Sequence, residues 1–183
     1  DEANESGAIY LDKLLLDSPA AAFKATTAEM VRCAELAKAM VVNVMRAFYE
    51  NDEKLLELVH KDEDIVNQLQ KDITSYIVEI SKMPLSDSGS VMVPAMINSI
   101  NNIERIGDHA EDITKLVKIK IDKNLVFSVK ACDEIKALEK MTLDMYDNTI
   151  QSLKDHDIDL AIKTAKLEDN VDALCKTLMD SHI

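Results

Sequence analysis

Apolar residues recur at the helical period along almost the whole chain, and little in the sequence can turn it. Met30, Cys33, Leu36, Met40, Val44 and Phe48 form one face, and Leu55, Val59, Val66, Leu69, Ile73, Tyr76 and Ile80 form a second. A third run extends from about Ser90 to Lys123. A fourth uses Ile135, Leu138, Met141, Met145 and Leu153, and a fifth uses Leu160, Leu167, Val171, Leu174 and Leu178. Glycine and proline number three each, too few for a many-stranded sheet. The spacing therefore predicts an all-α antiparallel helical bundle, with helices two and three longest and residues 1 to about 17 irregular.

The breaks between runs carry helix-end chemistry. Asp17-Ser18-Pro19 reads as a start, with Ser18 as cap and Pro19 at the first helical position. Asp52, after Asn51, can cap the second helix. Pro94 should mark the first turn of the third helix or a kink. Sliding the chain on itself by 105 residues brings Glu29, Met40, Asn43, Asp52, Leu55, Lys61, Glu63, Asp64, Val66, Leu69 and Lys71 onto identical residues. Both helix breaks stay in register, which indicates duplication of a helical unit. Residues 1–23 then form a connector, 24–124 a three-helix repeat and 125–183 a partial second repeat of two helices. The sixth helix of the pattern is missing, so an apolar stripe with Leu160, Val171, Leu174 and Leu178 should stay open and draw a partner, most simply a second copy in a homo-oligomer.

The segment from Asn102 to Asp112 is chemically the most unusual. Glu104, Asp108, Glu111 and Asp112 fall at i, i+4, i+7 and i+8, stacking carboxylates along one helix stripe. Like charges at that spacing cost a few tenths of a kcal/mol per pair, and Gly107 inside a helix costs about 1 kcal/mol relative to alanine. Most charged stripes are simply solvated. Here the cost is offset either by cations gathered on the acids or by a helix packed against the bare backbone of Gly107. Helices two and three are antiparallel about a turn near residue 85, which places Glu63 and Glu104 within about 5 Å of the same height.

Glu104-Arg105-Ile106-Gly107-Asp108-His109-Ala110 closely resembles the signature of the PhoU family, helical regulators of phosphate uptake. The resemblance implies two three-helix repeats, each with an acid-x-x-x-Asp motif on its third helix, and metal ions, iron or zinc, held there by Glu104, Asp108 and Asp112. It also implies ligands from the second helix: Glu63 and Asn67 in the first repeat, Glu168 and Asp172 in the second. Asn67 departs from the acidic pattern and brings an oxygen without charge. By ligand chemistry alone, carboxylates suit Mg²⁺, Ca²⁺ or Mn²⁺ as well as iron and zinc.

Other chemistries have less support. A ferritin-like di-iron site needs two inward E-x-x-H motifs, and only Glu57-Leu58-Val59-His60 fits, because Ile106, Leu153 and Met179 stand three residues before the other histidines. His60 accordingly reads as a partly exposed helix residue, and His109 as a hydrogen-bonding neighbour of the acids. No nucleophile elbow or glycine-rich phosphate loop is present, and the expected activity is non-enzymatic. A net charge of −13 disfavours nucleic acid and anionic lipid as partners. Cys33, Cys132 and Cys175 read as reduced thiols. No apolar run reaches the roughly 18 residues of a membrane span, so direct membrane insertion is not expected.

The run from Ile9 to Ala22 is similar to the joining segment of bacterial sodium/phosphate cotransporters of the type II-related family, which carry a PhoU-like domain after their membrane helices. That likeness implies a regulatory domain on the cytoplasmic side of the plasma membrane, partnered by a membrane-transport domain of the same or another chain and serving phosphate homeostasis. The alternative is a free-standing PhoU-type regulator.

Overall fold

The computed structural model describes residues 7–155 and 160–180, with the side chains of 160–168 and 179 left aside. Among the described residues it is all-helical: α1 Pro19–Glu50, α2 Lys54–Ser81, α3 Asp87–Asp122, α4 Val129–Lys154 and α5 Leu160–Asp180, preceded by a 3₁₀ turn over Lys13–Asp17. None of these helices is long and apolar enough to cross a membrane.

Local chemistry sets the boundaries. Ser18 caps α1, its hydroxyl accepting from the Ala21 N–H, with Pro19 at the start. Asn51 ends α1 in the left-handed region, at φ 55°. Asp52 accepts the Lys54 N–H at 3.0 Å and so turns the chain into α2. Ser86 caps α3 through the Gly89 N–H at 3.2 Å, so the helix begins at Asp87, earlier than its apolar pattern suggests. Pro94 consequently lies inside α3, about two turns in, and not in the first turn. At 36 residues α3 is the longest helix, but α1, with 32, exceeds α2, with 28. The expected ranking of helices two and three fails because the Ser18 cap extends α1 well ahead of its apolar face.

Helices α1, α2 and α3 pack against one another; α4 lies on α1, and α5 on both α3 and α4. Met30, Met40, Leu69, Ile73, Ile100, Ile103 and Ile106 fill the centre of the first unit, and Tyr146 enters it from α4. Among the described residues the open stripe expected on α5 is not there. Val171, Leu174 and Leu178 are all buried, because α5 folds back onto α3 and closes the bundle with five helices. Leu160 lies outside the described side chains.

Lys120, near the end of α3, is buried and donates its ammonium to the Phe48 carbonyl at 2.8 Å and to Asn51 Oδ1 at 2.6 Å. It supplies a donor and a positive charge to the C-terminus of α1, whose last carbonyls lack helical partners.

Candidate metal centre

The antiparallel α2 and α3 bring two short rows of side chains face to face. His60, Glu63 and Asn67 succeed one another at three- and four-residue steps on α2, and Glu104, Asp108 and Glu111 do the same on α3. Between the rows the helices come close at Gly107. A Cβ built there would sit 3.5 Å from Val66 Cγ1 of α2 and 3.7 Å from Met40 Sδ of α1.

His60, Glu63 and Glu111 can each offer one ligand atom, all within 4.8 Å of one another, and His60 Nδ1 lies 2.6 Å from Glu111 Oε1. Asn67 Oδ1 and Glu111 Oε2 are buried atoms with no hydrogen-bond donor in reach. Burial and repulsion raise the affinity of these acids for protons. Burial pushes the Glu63 carboxyl up, helped by the charges of Glu111 and Asp108, while a hydrogen bond from Asn67 works against the rise. Burial likewise raises Glu104, with Asp108 and Glu63 adding to it and Arg105 opposing. Glu111 is raised by burial in spite of its contact with His60. Desolvated, mutually repelling carboxylates beside orphaned oxygen atoms are the donor set that a cation would relieve. The residues present therefore fit a divalent ion. The imidazole favours Zn²⁺ or Fe²⁺ over Ca²⁺ and Mg²⁺.

Of the residues expected as ligands, Glu63, Glu104 and Asp108 are brought together, with Asn67 at their edge. Asp112 is not among them. It turns outward and pairs with Lys115 at 2.7 Å, because position i+8 has rotated off the face that Glu104 and Glu111 share. Asp172 also lies elsewhere: on α5 its Oδ1 stands 2.7 Å from His109 Nε2 of α3. The Glu168 side chain lies outside the described residues. His60 and Glu111 are additions to the expected set. Their signal was in the sequence, since Glu111 continues the Glu104 stripe by two turns and His60 precedes Glu63 by one.

The PhoU domain family model matches residues 30–117, which span α1 from Met30 through α3 to Val117 and hold every residue of the α2–α3 group. Residues 30–117 thus resemble a PhoU domain. The chain is similar, at 26% identity over 158 residues, to a phosphate-specific transport system accessory protein PhoU homolog of Clostridium acetobutylicum, the match covering 83% of this chain and 69% of that one. A protein of the same description from Aquifex aeolicus is 22% identical over 150 residues, covering 81% of this chain and 66% of its own. The PhoU resemblance read from the α3 motif is thus upheld. The cotransporter resemblance read from the connector has no counterpart in these two relatives, both described as accessory proteins.

Proposed function

We propose that this chain is a PhoU-type regulator of phosphate transport, acting by contact with transport-system components and not by catalysis, with a divalent cation held at the α2–α3 face. The observation that carries the reading is the PhoU domain match over residues 30–117 together with two relatives described as accessory proteins of phosphate-specific transport. Those relatives favour the accessory regulator over the built-in domain of a sodium-coupled transporter. Its place would be the cytoplasmic side of the plasma membrane, beside the transporter. The cation would be held by His60, Glu63 and Glu111, with Glu104 and Asp108 adjoining, and would neutralise charge that otherwise strains the pair of helices.

Phosphate uptake by cells lacking the gene, compared with cells carrying it, tests the regulatory role. Uptake at low and high external phosphate should differ between the two and return to normal on complementation. Identical uptake under both conditions would refute it. Thermal melts with and without Mn²⁺, Zn²⁺ or Fe²⁺ test the cation separately. An ion that binds only the folded chain raises stability by RT ln(1 + [L]/Kd), about 2.7 kcal/mol at a hundredfold excess over Kd. The rise should vanish in Glu63→Gln/Glu111→Gln.

A further inference from the structure

Glu29 is fully buried on α1. Its carboxylate accepts from the backbone N–H groups of Ile9 and Tyr10, and Arg32 pairs with its other oxygen at 3.2 Å. Arg32 in turn donates to the Gly7 carbonyl. Two further bonds fasten the same stretch to α2: Tyr76 donates its hydroxyl to the Asp12 carbonyl at 2.8 Å, and the Ala8 N–H reaches Asp72 at 3.4 Å. Residues 7–17 are therefore held mainly by polar bonds. The 3₁₀ turn within them buries no residue, and Ile9 and Leu14 point outward, 64% and 80% exposed.

Beneath the segment lies a small apolar cluster of Ala22, Tyr76 and Ile80, against which Leu11 and Leu16 pack, while Ala8 and Leu11 also touch the edge of the main core. An open cleft of about 510 Å³ runs beside Leu11, Leu16 and Tyr76. Lifting the segment would cost the satellite cluster, the Glu29 bonds and the edge contacts of Ala8 and Leu11, while the buried residues of the main core keep their packing between helices. Segments with few buried apolar contacts open at a lower free energy than the whole molecule.

We propose that residues 7–17 form a releasable strap, latched by the buried Glu29 carboxylate, which opens as a unit from an intact helical bundle and uncovers the Ala22–Tyr76–Ile80 surface. The hold depends on charge: an ionised carboxylate accepting N–H bonds gives bonds about twice as strong as neutral ones, so a carboxamide in its place weakens the latch without removing its shape.

Amide hydrogen exchange of the 183-residue chain, resolved by segment, reads this directly. In the wild type, amides of residues 7–17 should exchange at least about a hundredfold faster than those around Met40, Ile73 and Ile103. Glu29→Gln should speed exchange at Ile9 and Tyr10 by about a further tenfold and leave the helix centres unchanged. Tyr76→Phe keeps the ring and loses only the bond to Asp12, so it should give a smaller acceleration in the same segment; it decides the matter alone if Glu29→Gln does not fold. The proposal is overturned if residues 7–17 exchange in step with the helix centres, or if the variants leave strap exchange unchanged or loosen strap and bundle together.

Discussion

Replacing Gly107 by alanine should stabilise the domain, although the glycine of α3 faces side chains of both α1 and α2. The backbone there is ordinary helix, since no described glycine has positive φ. A methyl group would meet Val66 Cγ1 at 3.5 Å, Met40 Sδ at 3.7 Å and Met40 Cε at 3.8 Å, all ordinary van der Waals separations. The nearest atoms belong to side chains, and methionine yields readily. Against no steric charge stands the helix-propensity difference of about 0.8–1.0 kcal/mol, part of which reflects the restricted unfolded chain. A net gain of about 0.5–1 kcal/mol follows, or roughly 1–4 °C in Tm for a chain of this size. Urea titration followed by circular dichroism, with the slope unchanged and the midpoint raised, would show it. A loss of more than about 1 kcal/mol would mean that the helices pack closer at Gly107 than these separations allow, and Gly107→Leu, which must displace Met40 or Val66, should show such a loss in any case.

Metal-free protein should respond to pH through the same acidic face. Glu63, Glu104 and Glu111 bind protons more tightly when folded, so their contribution to stability is greatest below the usual glutamate range and is lost as pH rises through their raised values. Urea melts from pH 4 to 8 should show a steeper decline for wild type than for the triple glutamine variant, and equal slopes would contradict the assignment. Asp112→Asn should leave metal-induced stabilisation unchanged, because that carboxylate pairs outward with Lys115; a loss comparable to that of Glu111→Gln in calorimetric titration would return Asp112 to the site. Lys120→Met should cost about 1–3 kcal/mol by leaving the Phe48 carbonyl and Asn51 Oδ1 without their donor, and an unchanged melting temperature would show that water replaces the ammonium freely.

Local chemistry made much of the fold legible. Ser18-Pro19 and Asp52 act within one turn of the chain, so their roles could be read from neighbours in sequence. The start of α3 was misplaced because Ser86 caps it from a serine-rich loop, Ser86-Asp87-Ser88-Gly89-Ser90, in which several residues could have served. The burial of Val171, Leu174 and Leu178 was illegible for a different reason: periodicity marks an apolar face but not what covers it, and α3 has a face to spare for α5. At the acidic site, the spacing of Glu63, Glu104 and Asp108 fixed their meeting. His60 was set aside by a two-motif template that this site does not follow. Glu29 shows the limit most clearly. It aligns with Glu134 under the 105-residue shift, yet Glu29 is buried against the backbone of residues 9 and 10 whereas Glu134 is exposed and 4.0 Å from Lys130. Identical letters at matched positions carry no record of a distant segment that finds one and not the other.

The placement of α3 has a mechanical consequence. It shares packing surfaces with α1, α2 and α5, and beside Asp108 of its acidic row stands His109, which meets Asp172 of α5. Any change in the gap between α2 and α3 must be absorbed either by α1, whose Met40 faces Gly107, or by the seam with α5. Thioether side chains deform easily on the first route, while the second is a row of buried branched residues beside the His109–Asp172 contact. Such a seam transmits a small displacement better than it dissipates one, so the spine of this bundle doubles as its linkage rod, with the load delivered to the α4–α5 hairpin.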